Sequence, residues 1–229
     1  MNDSNGTYIH GIFLNEIKNR FLCNVSINGE ENVCYIPSSC RLSNFIDLTG
    51  REVILKPIVS SNARTRYSVY AFKYKRGYIL VNLAQTNQII EKQIHRRLFS
   101  FLGKRKNVIR EHKIEGYKTD LFIEDSKTLI EIKCSLAFEK VAVFPSVYSE
   151  RSIQQLMEIS ALLDAGYKAC YIFACLNPYV KAVRINQEIP QFCNAFNDCV
   201  RKGMIVNAFS IKLIDLIPQV QSRIEVFLE

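Results

Sequence analysis

The apolar period of this chain first changes between Val81 and Ile90, and that change constrains the fold more than any other feature. Before it, short runs alternate apolar and polar residues: Tyr8–Phe13, Arg20–Ile27, Asn32–Ile36, Glu52–Ile58 and Arg66–Tyr74. Period two is the signature of half-buried strands. Asn28-Gly29, between two of these runs, suits a type I′ hairpin, whose two central residues need positive φ. Several short strands with little helix predict a compact barrel. An OB-like barrel is one solution and an SH3-like barrel another, and periodicity leaves both open.

Beyond the change, Ile90, Ile94, Leu98 and Phe101 recur at helical spacing, with Thr86 or Asn87 to cap the start and Gly103 to end it. Strand patterns follow at Asn107–Lys113, Lys118–Glu124, Thr128–Cys134 and Val141–Phe144. A second helix is expected over Glu150–Ala165 and a third from Pro190 to Gly203, with strands at Lys168–Leu176 and Ile205–Leu213. Lys168–Leu176 is apolar on both faces, as in a central strand. The tail Asp215–Glu229 has apolar residues at near-helical spacing and is expected to pack on its own domain. The fold class is therefore α/β (α+β), with a barrel over residues 1–82 and a mixed sheet flanked by helices over residues 83–229.

Among 229 residues, 30 Lys and Arg stand against 22 Asp and Glu, a formal charge of +8. That excess favours polyanionic partners. The 8 cysteines contain no CxxC pair and the 3 histidines are scattered, which argues against zinc and for thiols buried as small hydrophobes. No apolar run approaches the ~20 residues of a spanning helix. The polar N-terminus lacks a signal-peptide pattern. A cytoplasmic protein is expected, with no membrane partner. An apolar strand edge would allow a homodimer, but the sequence leaves oligomeric state open.

The residues with most chemistry are Asp120, Glu131 and Lys133. Glu131-Ile132-Lys133 lies within an apolar strand pattern, so period two sends Glu131 and Lys133 to one face and Ile130 and Ile132 to the other. Asp120 sits on the preceding strand, across a polar turn at Glu124–Lys127. Folding that hairpin can set Asp120 beside Glu131 and near Lys133. Two converging carboxylates repel, and a hard divalent cation relieves them. Mg²⁺ or Mn²⁺ would fit, with lysine orienting or deprotonating a water. The alternative is an exposed trio of ion-pairing residues, and the short motif alone leaves it open.

Asp120, Glu131-Ile132-Lys133, Phe144-Pro145 and Ser149-Glu150-Arg151, in this order, resemble the sugar fermentation stimulation protein family. So do Pro37-Ser38-Ser39-Cys40-Arg41-Leu42 and Val81-Asn82 in the first half, and Glu91 and Glu111 in the second. The resemblance implies an N-terminal OB fold and a PD-(D/E)xK nuclease-like domain, and it covers nearly the whole chain. By it, Asp120 and Glu131 would hold a metal, Lys133 would position water or steady the scissile phosphate, and Glu111 would be a further metal candidate. Arg41, within the motif, and Arg151, at a helix start, would contact nucleic acid. The chain departs from the family at Cys40 and Ser38, where the family has Gly and Asn. It departs again at Ser152–Gln155, where the family has Gly then Lys-His, and Gln155 stands as a substitute pointing at the site.

Arg64, Arg66, Lys73, Lys75 and Arg76 interleave with Tyr67, Tyr70, Phe72 and Tyr74 without an acid. On a strand, Arg66, Tyr70, Phe72, Tyr74 and Arg76 share a face, which suggests bases stacked on Tyr70 and Tyr74 between phosphate-binding arginines. Half of those aromatics must instead be barrel core. A second basic stretch runs through Lys92, Arg96, Arg97, Lys104, Arg105, Lys106 and Arg110, either a solvated face or a track for a phosphate backbone. Two functions follow. One is a nucleic-acid-binding protein, for DNA with RNA as the second candidate, carrying a metal-dependent phosphodiester-hydrolysing site. The other is a non-catalytic DNA-binding accessory, such as a regulator of sugar-utilisation genes, as the family's association implies.

Overall fold

In the computed structural model, which describes residues 8–38, 41–44, 46–60 and 62–228, contacts divide the chain into two units. The first holds the residues up to Gln85 together with Lys212–Pro218, and the second holds Thr86–Ile211 and the residues from Gln219 onward. The division is thus not a single cut after residue 82.

The first unit contains β1 (Ile9–Glu16), β2 (Leu22–Ile27), β3 (Glu30–Tyr35), β4 (Glu52–Pro57), β5 (Tyr67–Tyr74) and β6 (Gly77–Leu80). Their hydrogen-bonded order is β3-β2-β1-β4-β5-β6, and Tyr35 also pairs in parallel with Ser68. That last pairing joins β3 to β5, so the first five strands close into an OB-like barrel. Asn28 and Gly29 have φ of 52° and 89°, the left-handed pair that a two-residue hairpin between twisted strands requires. Phe13, Cys23, Val25, Cys34, Val53, Leu55, Val69 and Phe72 fill the interior. Gly11 has no room for a side chain: a Cβ there would lie 2.5 Å from Val25 Cγ1 and 3.0 Å from the Ser26 carbonyl. β6, which the alternation pattern does not predict, extends the sheet beyond β5.

A bulge interrupts β5. Ile54 pairs with Ala71 and Leu55 with Val69, leaving Tyr70 as the extra residue. A bulge breaks the period of two, so Val69, Tyr70, Ala71 and Phe72 are all buried.

The second unit opens with α1 (Thr86–Gln93), followed by a 3₁₀ segment, Arg97–Leu102. The single helix expected up to Gly103 is therefore two pieces. Then come β7 (Val108–Arg110), β8 (Lys113–Ile114), β9 (Tyr117–Lys118), β10 (Leu121–Ile123), β11 (Thr128–Ser135), β12 (Val141–Phe144), α2 (Glu150–Asp164), β13 (Lys168–Cys175), β14 (Ala182–Ile185), α3 (Pro190–Arg201), β15 (Ile205–Ile214) and β16 (Ile217–Phe227). Eight of the strands form one sheet in the order β12-β14-β16-β15-β13-β11-β10-β7, while β8 and β9 form a separate hairpin. β11, β13 and β15 run parallel, as do β12, β14 and β16, whereas β10 opposes both β7 and β11. The sheet is mixed, as expected.

One face of β11 and β13 (Leu129, Ala169, Tyr171, Phe173) packs on α2 and α3 through Leu156, Ile159, Leu162, Phe192 and Phe196. On the other face, Phe209 of β15 packs against Phe99 and Phe101 of the 3₁₀ segment, ring centroids 4.8 and 6.2 Å away. β13 is buried from Ala169 to Cys175, as its two-sided apolar sequence predicts. The tail departs from its near-helical pattern. Its residues Ile217–Phe227 form β16, because Asp215 and Leu216 take φ of 50° and 61° and turn the chain back beside β15. The described cysteines are free thiols, buried except for the half-buried Cys134.

Candidate functional site

Leu121 of β10 pairs with Ile130 of β11. One step outward along this antiparallel pair, Asp120 comes opposite Glu131. Alternation on β11 sends Ile130 and Ile132 to the face opposite Glu131 and Lys133. Glu131 is buried, its side chain only 4% exposed, and Lys133 is 18% exposed. Lys133 Nζ donates to Glu131 Oε1 at 2.6 Å and to Gln155 Oε1 of α2 at 2.7 Å. The Tyr117 hydroxyl of β9 donates to Glu131 Oε2 at 2.5 Å. Asp120 accepts from Asn87 Nδ2 of α1 on Oδ1, 2.8 Å, and from the Ile132 backbone N–H on Oδ2, 2.7 Å. Every carboxylate oxygen of the pair thus has a donor from a different group.

The electrostatics follow from this crowding. Burial, and then the charge on Glu131, push the Asp120 carboxyl up to about 6, against the opposing effects of the Ile132 N–H, the Lys133 ammonium and Asn87. Burial and Glu131 likewise push the Tyr117 phenol far up. Tyr171 stands in register with Glu131 on β13, is 1% exposed, and its hydroxyl has no hydrogen-bond partner among the described residues. Burial and both carboxylates raise it well above its ordinary value.

The hydrogen-bonding apparatus also positions α2. Ser149 Oγ accepts from the Ser152 N–H at 3.2 Å, capping the helix start. Gln155 then reaches Lys133, and Arg151, one turn earlier on the same face, is exposed. As a donor set the centre offers two adjacent carboxylates, both hard oxygen ligands, and one ammonium. Among the described residues no group of three or more His, Cys, Asp or Glu converges. Mg²⁺-like ions use one or two carboxylates and keep waters, so Asp120 and Glu131 fit such an ion, and the charge Glu131 places on Asp120 is what the ion would neutralise.

Comparison with known proteins agrees with this architecture. The family model described as the sugar fermentation stimulation protein RE domain matches residues 84–215, and the SfsA N-terminal OB domain matches residues 17–81. The chain belongs to the sugar fermentation stimulation protein family. Homologues of the sugar fermentation stimulation protein include that of Methanothermobacter thermautotrophicus, 25% identical over 92% of this chain and 86% of its own length. That of Caldanaerobacter subterraneus is 25% identical over 96% and 97%. The solved structure of Pyrococcus furiosus SfsA in complex with Ca²⁺ superposes with a TM-score of 0.79 and 20% identity, covering 96% of this chain and 95% of that one.

In this sugar fermentation stimulation family member, the structure brings together Asp120, Glu131, Lys133 and Gln155. It does not bring Glu111 to them. The Glu111 side chain is 69% exposed and paired with Lys118 at 2.5 Å, an ion pair that lowers its carboxyl. Tyr70 is corrected as a stacking platform. It is 4% exposed, its hydroxyl donates to the Leu216 carbonyl at 2.7 Å, and Lys56 Nζ lies 4.0 Å from its ring centroid. The bulge turned it inward. Tyr74 is half-buried under Lys75, whose Nζ lies 5.3 Å from the ring centroid. Arg41 donates to the Lys18 carbonyl at 2.6 Å, while Arg64, Arg66 and Arg76 are exposed. Ser39 and Cys40 lie outside the described residues.

The second basic stretch is partly structural. Arg105 donates to the carbonyls of Ile94, Gly103 and Arg96 at 2.6, 2.6 and 3.1 Å. Arg96 donates to the Val220 carbonyl, Arg110 pairs with Glu91 and Lys104 with Asp125. Two site residues are not evident from sequence pattern. Asn87 looks only like a helix cap, and Tyr117 follows a Glu115-Gly116 turn with no periodic pattern. The Gly116 turn is the one available signal for a hairpin there.

Proposed function

We propose that this chain binds nucleic acid and hydrolyses phosphodiester bonds at Asp120, Glu131 and Lys133 with a divalent cation, Mg²⁺ or Mn²⁺. The observation that carries this reading is the pair of adjacent, largely buried carboxylates with an ammonium held beside them. Burying like charges is unfavourable, and an ion-dependent function accounts for it where a surface ion pair does not. The Ca²⁺ complex of the Pyrococcus furiosus relative supports a divalent ion in this family.

Asp120 and Glu131 would hold the cation, which when bound acidifies water and neutralises charge developing on a phosphate. Lys133, tied between Glu131 and Gln155, keeps its ammonium at the site with a third N–H to orient a water or a phosphate oxygen. Gln155 fixes the rotamer of Lys133. Arg151 and the capped start of α2 would face the phosphate backbone. Exposed Arg64, Arg66 and Arg76 would add sequence-independent attraction for a polyanion.

The test is incubation of single- and double-stranded DNA and RNA with Mg²⁺ or Mn²⁺, comparing wild type with Asp120→Asn and Lys133→Ala. Metal-dependent cleavage by wild type and its loss in both variants supports hydrolysis. Equal cleavage in all three removes the catalytic claim, and salt-sensitive binding without turnover leaves a binding protein on a shared scaffold.

A further inference from the structure

We propose that Tyr117 is the positioning residue that makes Glu131 a usable metal ligand, an inference that rests on the metal-dependent reading above. Glu131 sits in a strand whose neighbours are apolar, and among the described residues its carboxylate has two donors, the Lys133 ammonium on Oε1 and the Tyr117 hydroxyl on Oε2. Lys133 shares its ammonium with Gln155, on a long side chain that also has to serve the substrate. Tyr117 has a single task. The residue is 4% exposed, and among the described residues its hydroxyl makes one short bond, to Glu131.

The backbone that carries Tyr117 is built for placement. Tyr117 and Lys118 form β9, paired with Lys113 and Ile114 of β8 across the turn at Glu115, φ 47°, and Gly116, φ 92°. The hairpin is anchored at its base by Thr119. The Thr119 hydroxyl lies 2.9 Å from both the Leu121 and the Ile130 carbonyl, which share its one O–H, and accepts from the Ile130 N–H at 3.2 Å. Those bonds tie the hairpin to β10 and β11, the same two strands that hold Asp120 and Glu131. Ile114 and Tyr117 both pack into the core beside α2. Rigid strands on a tied base fix the hydroxyl relative to the carboxylate it meets. Groups that hydrogen-bond a ligating carboxylate set its rotamer and typically change metal affinity about 10- to 100-fold.

Tyr171 supplies the control. It too is a buried tyrosine next to Glu131, but its hydroxyl makes no hydrogen bond among the described residues. Removing that hydroxyl takes nothing from Glu131.

The experiment is Mn²⁺ binding, followed by calorimetry and by loss of the free-ion electron paramagnetic resonance signal. The proteins are wild type, Tyr117→Phe, Tyr171→Phe, Glu131→Asp and the Tyr117→Phe, Glu131→Asp double variant. Phe keeps both rings, so the core stays filled. Asp at 131 remains a ligand but is withdrawn from Tyr117 by one methylene. Tyr117→Phe is expected to weaken Mn²⁺ about tenfold and Tyr171→Phe to leave it unchanged. In the Glu131→Asp background, removing the Tyr117 hydroxyl is expected to have no further effect. Unchanged affinity in Tyr117→Phe, or the same loss in both backgrounds, overturns the inference while the metal reading stands. Wild type that binds Mn²⁺ no better than an Asp120→Asn, Glu131→Gln variant overturns both.

Discussion

Lys133 Nζ lies 2.7 Å from Gln155 Oε1 and 2.6 Å from Glu131 Oε1, so one ammonium joins the strand that carries the acid to the helix that caps it. Lys133→Met, which keeps most of the stem, leaves Glu131 buried with one donor fewer beside a second carboxylate. A loss of about 3 kcal/mol in urea unfolding, measured with EDTA, is expected, because an uncompensated buried charge is destabilising on that scale. Gln155→Leu should cost only about 1 kcal/mol, and equal losses in the two variants would refute the shared-ammonium arrangement.

Asp120 gives a pH dependence with a definite sign. Its carboxyl is raised from an ordinary 3.8 to about 6 in the folded chain, so the folded state holds a proton that the unfolded state has already released. Stability from this group is therefore full below about pH 4 and is lost as the pH rises towards 6. Without metal, wild type should lose on the order of 2 kcal/mol across that window relative to Asp120→Asn. Added Mn²⁺ should reverse the trend, since the ion displaces the proton. Parallel pH profiles for the two proteins in EDTA would contradict the placement of Asp120.

Arg64, Arg66 and Arg76 are exposed whereas Tyr70 is core. Replacing the three arginines by alanine should leave the thermal midpoint within experimental error. It should reduce the salt slope of single-stranded DNA binding by about 0.7 for each phosphate that is no longer neutralised. Tyr70→Ala should instead destabilise the barrel by about 3–5 kcal/mol. A stable Tyr70→Ala with weakened DNA binding would restore the stacking role that its burial denies.

Arg105→Ala separates structural from available charge. Removing the guanidinium strips donors from the Ile94, Arg96 and Gly103 carbonyls, at an expected cost of about 2 kcal/mol. The salt slope of polyanion binding should stay unchanged. A slope that falls with Arg105→Ala would return this residue to the binding surface.

Much of the fold was legible because period and punctuation agree with it. Asn28-Gly29 makes its hairpin, Pro190 and Gly203 bracket α3, and β13 is buried on both faces as its composition requires. Asp120, Glu131, Lys133 and Gln155 were legible because a two-residue period and a short hairpin leave few ways to arrange them. The failures have local causes. Strict alternation puts Tyr70 on an open face, and nothing in the sequence marks the bulge that turns it inward. The tail has helical spacing, yet two left-handed residues, Asp215 and Leu216, commit it to a strand, and neither is a glycine that would announce the turn. Tyr117 and Asn87 reach the carboxylates through tertiary packing, which no local pattern encodes. Glu111 stands one position beyond β7, its N–H bonded to the Asp120 carbonyl, but a positive φ of 49° sends its side chain to Lys118.

The donors that hold the two acids come from residues 87, 117, 132 and 133, and the acceptor that holds Lys133 comes from residue 155, so the centre draws on widely separated stretches of backbone. No fragment shorter than this span contains the centre, and a nascent chain that has yet to emit α2 lacks part of it. The arrangement around the acids is thus a property of the finished domain: a lesion in a remote helix or turn would remove a donor from Asp120 or Glu131 without touching either acid.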